Sequence, residues 1–154
     1  MASKRQIHVG GVPIGGGAPV VVQTMTKTET ANLSATMDQI RRVAEAGADI
    51  VRVAVPREKD VDALRTIVRE SPIPVIADIH FNHTLALKAI DAGAHCVRLN
   101  PGHIGGPDKV AEVITRAKTP PPPPPVGATP VSRPPPRAPR RCRPTAPGPA
   151  PPPR

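Results

Sequence analysis

Short apolar runs rich in β-branched residues alternate with segments of helical periodicity along most of this chain. The runs at 50–55 and 96–99 are short and apolar apart from one arginine in each, which is typical of the strands of a parallel sheet covered by helices. By contrast, the segment 33–46 places its apolar residues three and four positions apart, which is the spacing of an amphipathic helix. Strands that alternate with helices form parallel sheets joined by right-handed crossovers. The sequence therefore predicts an α/β protein.

The pattern predicts four strand–helix units that follow a short β-hairpin. The predicted strands are 20–25, 50–55, 75–79 and 96–99, and the predicted helices are 33–46, 58–69, 84–92 and 107–117. Gly10-Gly11, between the apolar stretches 7–9 and 12–14, predicts the turn of the hairpin. Asn32 is a predicted N-cap, Gly47 a predicted helix end, and Pro107 suits the first turn of the last helix.

The composition of the chain changes abruptly at Thr119. Most of its 24 prolines follow this position, whereas all 12 acidic residues precede it. Because proline has no N–H to offer a sheet, this segment cannot continue as a central strand. We therefore expect a folded domain at 1–118 and a disordered tail with polyproline II character at 119–154. The tail supplies much of the formal net charge of +9, so the basic composition does not indicate a specific nucleic-acid partner.

Three interpretations of the tail stay open. Its Pro-Pro-Pro-Arg motifs at 134–137 and 151–154 could dock into SH3-like grooves and recruit a partner protein. Its arginines could attract nucleic acid weakly and in a salt-dependent manner. The interpretation that we favour is a shifted or truncated reading frame in GC-rich DNA, because proline, arginine, alanine and glycine all have GC-rich codons.

Polar residues at the ends of the predicted strands favour a barrel over a doubly wound sheet. Three strands place such residues two positions apart: Asp78 with His80, Arg98 with Asn100, and Arg52 with the small Ala54. Side chains two apart on a strand share a face, and in a (β/α)₈ barrel that face opens at the carboxyl-terminal rim, where active sites form. The fold is thus predicted as the first four βα units of a TIM-type barrel. Ordinary rim salt bridges are the alternative explanation of the pattern.

The chemistry of this rim indicates an anion site. Guanidinium groups such as those of Arg52 and Arg98 bind phosphate oxygens bidentately. The glycine-rich segment 100–106 leads into a helix and offers backbone N–H groups that suit a phosphate. Asp78 and His80 could position a hydroxyl group or a proton. His103 lies within the glycine-rich segment, and the sequence favours neither the presence nor the absence of a contact between His103 and phosphate.

The other histidines and the cysteines have simpler interpretations. His8, His83 and His95 are expected to be surface or capping residues, and Cys96 a small buried residue of its strand. Cys96 and Cys142 form neither a disulfide framework nor a metal-binding signature. The sequence shows no signal peptide and no apolar run of transmembrane length, so we expect a cytoplasmic protein without membrane contact.

Four motifs resemble the 4-hydroxy-3-methylbut-2-enyl diphosphate synthase family. They are Val-Val-Val-Gln-Thr-Met-Thr-Lys-Thr-Glu-Thr at 20–30, Ala-Gly-Ala-Asp-Ile-Val-Arg-Val-Ala-Val-Pro at 46–56, Pro-Val-Ile-Ala-Asp-Ile-His-Phe at 74–81, and Val-Arg-Leu-Asn-Pro-Gly-His-Ile-Gly at 97–105. They appear in the family's order and spacing, and the resemblance covers 4–118. Thr24 stands where the family usually has serine, and His103 where asparagine is usual.

The resemblance implies an activity in the methylerythritol phosphate route to isoprenoids. The family reduces 2-C-methyl-D-erythritol 2,4-cyclodiphosphate to 4-hydroxy-3-methylbut-2-enyl diphosphate, with electrons from flavodoxin or ferredoxin. Its barrel holds the diphosphate, and a C-terminal domain carries a 4Fe-4S cluster. The family forms homodimers that pair one subunit's barrel with the other's cluster domain. For this chain, the resemblance implies that the substrate end of the barrel is lined by Arg52, Asp78, His80, Arg98 and Asn100.

The sequence departs from the family by what it lacks. It shows four strands where a barrel needs eight, and nothing that matches the family's three cluster cysteines and glutamate. We therefore expect this chain to bind no cluster, to be inactive alone and not to form the family's dimer. The alternative is a non-catalytic, anion-binding half barrel whose proline-rich tail binds a partner. A fragment that complements a separately encoded remainder is a third hypothesis.

Overall fold

The structure is a computed structural model, and it describes residues 4–100 and 102–119. The strands are β1 (Gln6–Val9), β2 (Val12–Gly15), β3 (Gln23–Met25), β4 (Ile50–Ala54), β5 (Val75–Ile79) and β6 (Cys96–Leu99). The helices are α1 (Leu33–Glu45), α2 (Glu58–Glu70), α3 (His83–Asp91) and α4 (Pro107–Lys118). The predicted α/β class is confirmed, since strands β3 to β6 alternate with the helices in chain order.

Strands β3 to β6 form a parallel sheet in the order β3-β4-β5-β6. The register places Ala54 level with Asp78, and Asp78 level with Arg98. It also places Met25 level with Arg52. Because successive strands are neighbours and parallel, their carboxyl ends lie together along one edge of the sheet.

The predicted strand at 20–25 was wrong over its first three residues. Strand β3 begins at Gln23, which lies level with Ile50, the first residue of β4. Val22 instead bonds to the turn before β4: its N–H donates to Asp49 Oδ2 over 2.8 Å, and its carbonyl accepts from the Asp49 N–H over 2.9 Å. Val20 is 92% exposed. The ladder does not extend to residues before Gln23, because β4 has no residue before Ile50 to pair with them.

The helices agree with the sequence prediction to within a residue at each end. Helix α1 begins after Asn32, whose side-chain oxygen accepts from the Ala35 N–H over 3.3 Å. Helix α3 begins at His83, one residue earlier than predicted, because Asn82 caps it by accepting from the Thr84 N–H. Gly47 has a φ of +101°, a left-handed conformation that lets the chain turn from α1 back towards β4.

One face of the sheet packs against the helices and forms the main core. The strands contribute alternate residues from β4 and β5, and the helices contribute their apolar stripes. The fully buried strand residues of this core are Val51, Val53, Val75, Ala77 and Ile79. The helices α1 and α2 present Ile40, Leu64 and Ile67 to it.

The hairpin of β1 and β2 covers the opposite face of the sheet near the amino ends of its strands. The pairing is antiparallel, as predicted from Gly10-Gly11. Val9 packs with Ile50 and Ile76 in a second buried cluster, against which Cys96 also packs. A Cβ on Gly10 would lie 3.0 Å from both His95 and Pro74, so this turn needs glycine for close approach as well as for its φ of +59°.

The proline-rich segment lies almost wholly outside the described residues. Residues 120–154, with Cys142 and both Pro-Pro-Pro-Arg motifs, belong to it, and so the predictions of disorder and partner binding stay predictions. Among residues 4–100 and 102–119, no helix has the length and apolar character needed to cross a membrane.

Candidate functional site

Three strands bring charged side chains together at the carboxyl edge of the sheet. Arg52 comes from β4, Asp78 from β5 and Arg98 from β6. The register gives all three the same face, because Asp78 pairs with both Ala54 and Arg98, and Arg52 lies two residues before Ala54. This is the face that carries the hairpin further down, where the strands begin. The hairpin therefore closes the lower part of the face and leaves the rim for charged groups.

Asp78 is the centre of the cluster. It is 1% exposed, and its two oxygens face different partners. Arg98 Nη1 donates to Oδ1 over 2.9 Å. On the other side, Arg52 Nε lies 3.4 Å and His80 Nε2 lies 3.7 Å from Oδ2. A buried carboxylate needs such partners, and it in turn fixes the orientation of both guanidinium groups.

The two arginines retain donors that can bind a ligand. A guanidinium group has five N–H donors, and the Asp78 carboxylate engages few of them. Arg52 also contacts Met25, with Nη2 lying 3.3 Å from the sulfur, and its buried Nε has no partner in hydrogen-bond geometry. The Arg52 side chain is 29% exposed and the Arg98 side chain is 47% exposed. Two cations against one carboxylate leave the rim electropositive, which suits an anion.

Asn100 lies beside this cluster and is held by a different contact. Its Nδ2 and the Nδ1 of His103 are 3.1 Å apart, and its carbonyl accepts from the His103 N–H over 3.0 Å. The structure thus places Arg52, His80 and Arg98 around Asp78, whereas Asn100, two residues beyond Arg98, contacts His103.

The glycine-rich segment leads into helix α4, which begins at Pro107 as predicted. Gly105 and Gly106 have φ values of +98° and +109°, and Gly106 caps this helix. Lys109 was not among the predicted site residues, and its Nζ lies 3.0 Å from the point that a Cβ on Gly105 would occupy. This ammonium group adds positive charge to the loop, and the signal for it was a lysine in the first turn after Pro107.

Phe81 is a second residue that the sequence analysis missed. It follows His80 directly and is 73% exposed. Its ring stacks on His103, with centroids 5.5 Å apart and planes at 22°, and it also meets His80 with centroids 5.9 Å apart. The signal was present in the sequence, since Phe81 is the one phenylalanine of a chain without tryptophan or tyrosine.

The loop between β3 and α1 is tied to the neighbouring strand at the rim. The Thr26 N–H donates to the Arg52 carbonyl over 3.0 Å, and the Thr30 hydroxyl donates to the Ala54 carbonyl over 2.6 Å. Asp60, which is fully buried at the start of α2, accepts from the backbone N–H of Ala31 over 3.0 Å. These bonds fix the loop beside Arg52. The sequence analysis did not identify Asp60.

The remaining histidines and Cys96 have structural roles in the main. His95 Nδ1 accepts from the Val75 N–H over 3.1 Å, and His83 Nε2 lies 3.9 Å from Glu112. Burial raises the pKa of the Cys96 thiol, so Cys96 stays protonated near neutral pH and is a poor metal ligand. Among the residues that the structure describes, no group of three or more His, Cys, Asp or Glu side chains could hold a metal ion.

Comparison with known proteins matches residues 4–129 to the GcpE TIM-barrel domain. Several relatives are called 4-hydroxy-3-methylbut-2-en-1-yl diphosphate synthase (flavodoxin). The protein of Ruegeria sp. (strain TM1040) is 56% identical over 114 residues, which cover 74% of this chain and 30% of the relative. Those of Persephonella marina and Aquifex aeolicus are 55% and 54% identical, and the match covers 74% of this chain and 32% of each. The chain thus spans about a third of the length of these relatives.

Proposed function

The chain belongs to the GcpE TIM-barrel domain family, and from this premise we propose that it is the diphosphate-binding portion of a 4-hydroxy-3-methylbut-2-en-1-yl diphosphate synthase. The reaction of the whole enzyme would be the reductive opening of 2-C-methyl-D-erythritol 2,4-cyclodiphosphate to 4-hydroxy-3-methylbut-2-enyl diphosphate. We further propose that β3 to β6 are four of the eight strands of the barrel, that 1–118 is the folded domain and that 119–154 is a separate tail.

The observation that carries this proposal is the buried Asp78 between Arg52 and Arg98. One carboxylate contacts guanidinium groups from the strands on either side of it, with Arg98 Nη1 at 2.9 Å and Arg52 Nε at 3.4 Å. Because Asp78 holds both groups in place before a ligand arrives, little side-chain entropy is lost when an anion binds. A diphosphate has enough oxygens for both guanidinium forks.

Each rim residue then has a distinct role. Arg52 and Arg98 contact the diphosphate oxygens and neutralise their charge, while Asp78 orients both arginines. Asn100 donates an amide N–H to the diphosphate, with its side chain oriented by His103. His80, whose Nε2 lies 3.7 Å from Asp78 Oδ2, positions a hydroxyl group of the substrate.

The chain's own residues do not fit the iron–sulfur cluster of the family. The family binds its 4Fe-4S cluster through three cysteines and a glutamate, whereas this sequence contains 2 cysteines. One of them, Cys96, is half-buried in the strand β6 and packs beneath the rim. We therefore assign no redox step to this chain. The cytoplasm is the proposed compartment, and flavodoxin, which the relatives' names mention, is the proposed electron donor of the full-length enzyme.

Calorimetric titration of the whole chain with the cyclodiphosphate tests the binding role. We expect saturable binding, and we expect Arg98→Ala to weaken it by at least about tenfold, as the loss of a charged hydrogen-bond donor does. Arg41→Ala is the matched control, because it removes the same charge from an exposed position on α1. Absence of binding by the unaltered chain, or equal effects of the two substitutions, would contradict the proposal.

A turnover assay separates binding from catalysis. The whole chain, supplied with the cyclodiphosphate and reduced flavodoxin, is expected to form no 4-hydroxy-3-methylbut-2-enyl diphosphate. Binding without turnover is the combination that this proposal requires. Measurable turnover would show that the chain obtains its redox centre by some route other than the family's cysteines.

A further inference from the structure

We propose that the exposed ring of Phe81 is an apolar subsite beside the anion site, which favours diphosphates with a hydrocarbon group over those without one. This inference rests on the proposed function, since it takes Arg52 and Arg98 to bind the diphosphate. It assigns a role to a residue outside the charged cluster, namely selection for the carbon skeleton of the ligand.

The position of the ring beside the charged cluster is set by two histidines. His80 contacts Asp78 over 3.7 Å and meets the Phe81 ring with centroids 5.9 Å apart. On the other side, His103 contacts Asn100 over 3.1 Å and stacks on the same ring at 5.5 Å. Each imidazole therefore touches both a residue of the proposed anion site and the ring. Phe81 thus lies one side chain away from Asp78 and one side chain away from Asn100.

The ring is fixed in place yet open to the rim. Phe81 is 73% exposed, although the removal of its apolar surface from water would be favourable. Stacking on His103 and a tilted contact with His80 restrict the motion of the ring without covering it. An aromatic surface that is both oriented and exposed can bind a hydrocarbon group with little further loss of conformational entropy. Apolar walls beside a few convergent polar groups are also typical of small-molecule sites.

Two ligands of matched head group separate the apolar contact from the anion contact. Methyl diphosphate and 3-methylbut-2-enyl diphosphate carry the same charged group and differ in the size of the hydrocarbon. We expect the whole chain to bind the larger ligand about five- to tenfold more tightly, as burial of a small branched hydrocarbon group predicts. Phe81→Ala should remove this preference and leave the affinity for methyl diphosphate unchanged.

Two further variants control for other effects. Phe81→Leu keeps an apolar side chain and should retain part of the preference. Ile114→Ala removes an exposed apolar side chain from α4 and should retain all of it. Because Phe81 is so exposed, its replacement should leave the fold intact, which far-ultraviolet circular dichroism checks.

A spectroscopic readout reports on the ring itself. The chain contains a single phenylalanine, so uniform incorporation of 4-fluorophenylalanine gives one ¹⁹F resonance, that of Phe81. We expect 3-methylbut-2-enyl diphosphate to shift this resonance saturably, and methyl diphosphate to shift it less.

The outcomes distinguish this inference from the proposed function. An unchanged preference in Phe81→Ala would overturn the apolar subsite. Equal weakening of both ligands would also overturn it, because the ring would then act by positioning His103 and Asn100. Loss of both ligands in Arg98→Ala supports the anion site whatever Phe81 does. If the unaltered chain binds neither ligand, the proposed function fails and the subsite fails with it.

Discussion

Two buried aspartates, Asp60 and Asp78, serve different ends in the same domain. Asp60 is fully buried and accepts from backbone N–H groups, those of Ala31 at 3.0 Å and Arg57 at 3.1 Å. Asp78 is almost as buried, but its closest partners are side chains, the guanidinium groups of Arg52 and Arg98. Both carboxylates escape water, and both find compensating donors.

The two carboxylates fix different parts of the structure because their donors differ. Backbone donors cannot turn away, so Asp60 ties two loops together, the one before α1 and the one before α2. Arginine side chains can rotate towards solvent, and Asp78 therefore fixes the direction of two cations rather than the course of the chain. Asp60 therefore stabilises the fold by connecting two loops, and Asp78 orients two arginines for ligand binding.

The same substitution at both positions tests this contrast, and Asp60→Asn should have the larger effect on stability. An amide presents one oxygen, so its NH₂ group would face the N–H of either Ala31 or Arg57. We expect unfolding free energy to fall by about 2–3 kcal/mol, the typical cost of a buried donor left without an acceptor. Urea denaturation of the whole chain measures it. Asp62→Asn, at an exposed position of the same helix, should change stability by less than about 0.5 kcal/mol.

Asp78→Asn should lower stability by a smaller amount, about 1 kcal/mol or less. The amide oxygen can still accept from Arg98 Nη1, and Arg52 and Arg98 can turn their charged ends to water, with side chains 29% and 47% exposed. The substitution also removes the desolvation cost of a buried carboxylate. The same urea titration decides the order of the two variants. If Asp78→Asn lowered the unfolding free energy as much as Asp60→Asn, Asp78 would stabilise the fold as Asp60 does.

The contrast also explains what the sequence could predict. Asp78 was found because it and His80 lie two apart at the end of an apolar strand, and two neighbouring strands repeat that pattern. Asp60 was missed because one of its partners is the backbone N–H of Ala31, which is far away along the chain and carries no sequence signal. A local clue existed: Asp60 is the third residue of α2, where an acid commonly accepts from the N–H of the capping residue.

The limits of β5 and β6 were predicted to the residue, whereas the start of β3 was not. Strand β5 is buried at every residue, and its apolar run, interrupted by Asp78 alone, marks its limits. Strand β3 lies at an edge, and its start depends on where β4 begins, which the run Val20-Val21-Val22 does not reveal. Likewise, the proximity of Phe81 and His103 depends on two loops that are separated by a whole helix.

The smallest expected effect concerns Glu29, which lies on the loop that Asp60 holds from within. The Lys59 ammonium, by its hydrogen bond and then its charge, and the Arg57 guanidinium hold the pKa of Glu29 below its usual value of 4.5. A carboxyl whose pKa is lowered in the folded state contributes stability above the unfolded pKa and loses it as pH falls through the folded pKa. Because Glu29 is exposed, water and salt screen this contribution.

Glu29→Gln should therefore reduce the midpoint of thermal unfolding slightly near pH 7 and at low salt. The difference from the unaltered chain should shrink as pH falls below about 4.5, where Glu29 protonates first in the unfolded chain and, at lower pH, in the folded chain. Glu45→Gln, at an exposed position on α1, is the matched control. A difference that persisted at pH 2 would show that Glu29 acts through packing rather than charge. Packing of the Glu29 side chain would then stabilise the loop in addition to the hydrogen bond that Asp60 accepts from it.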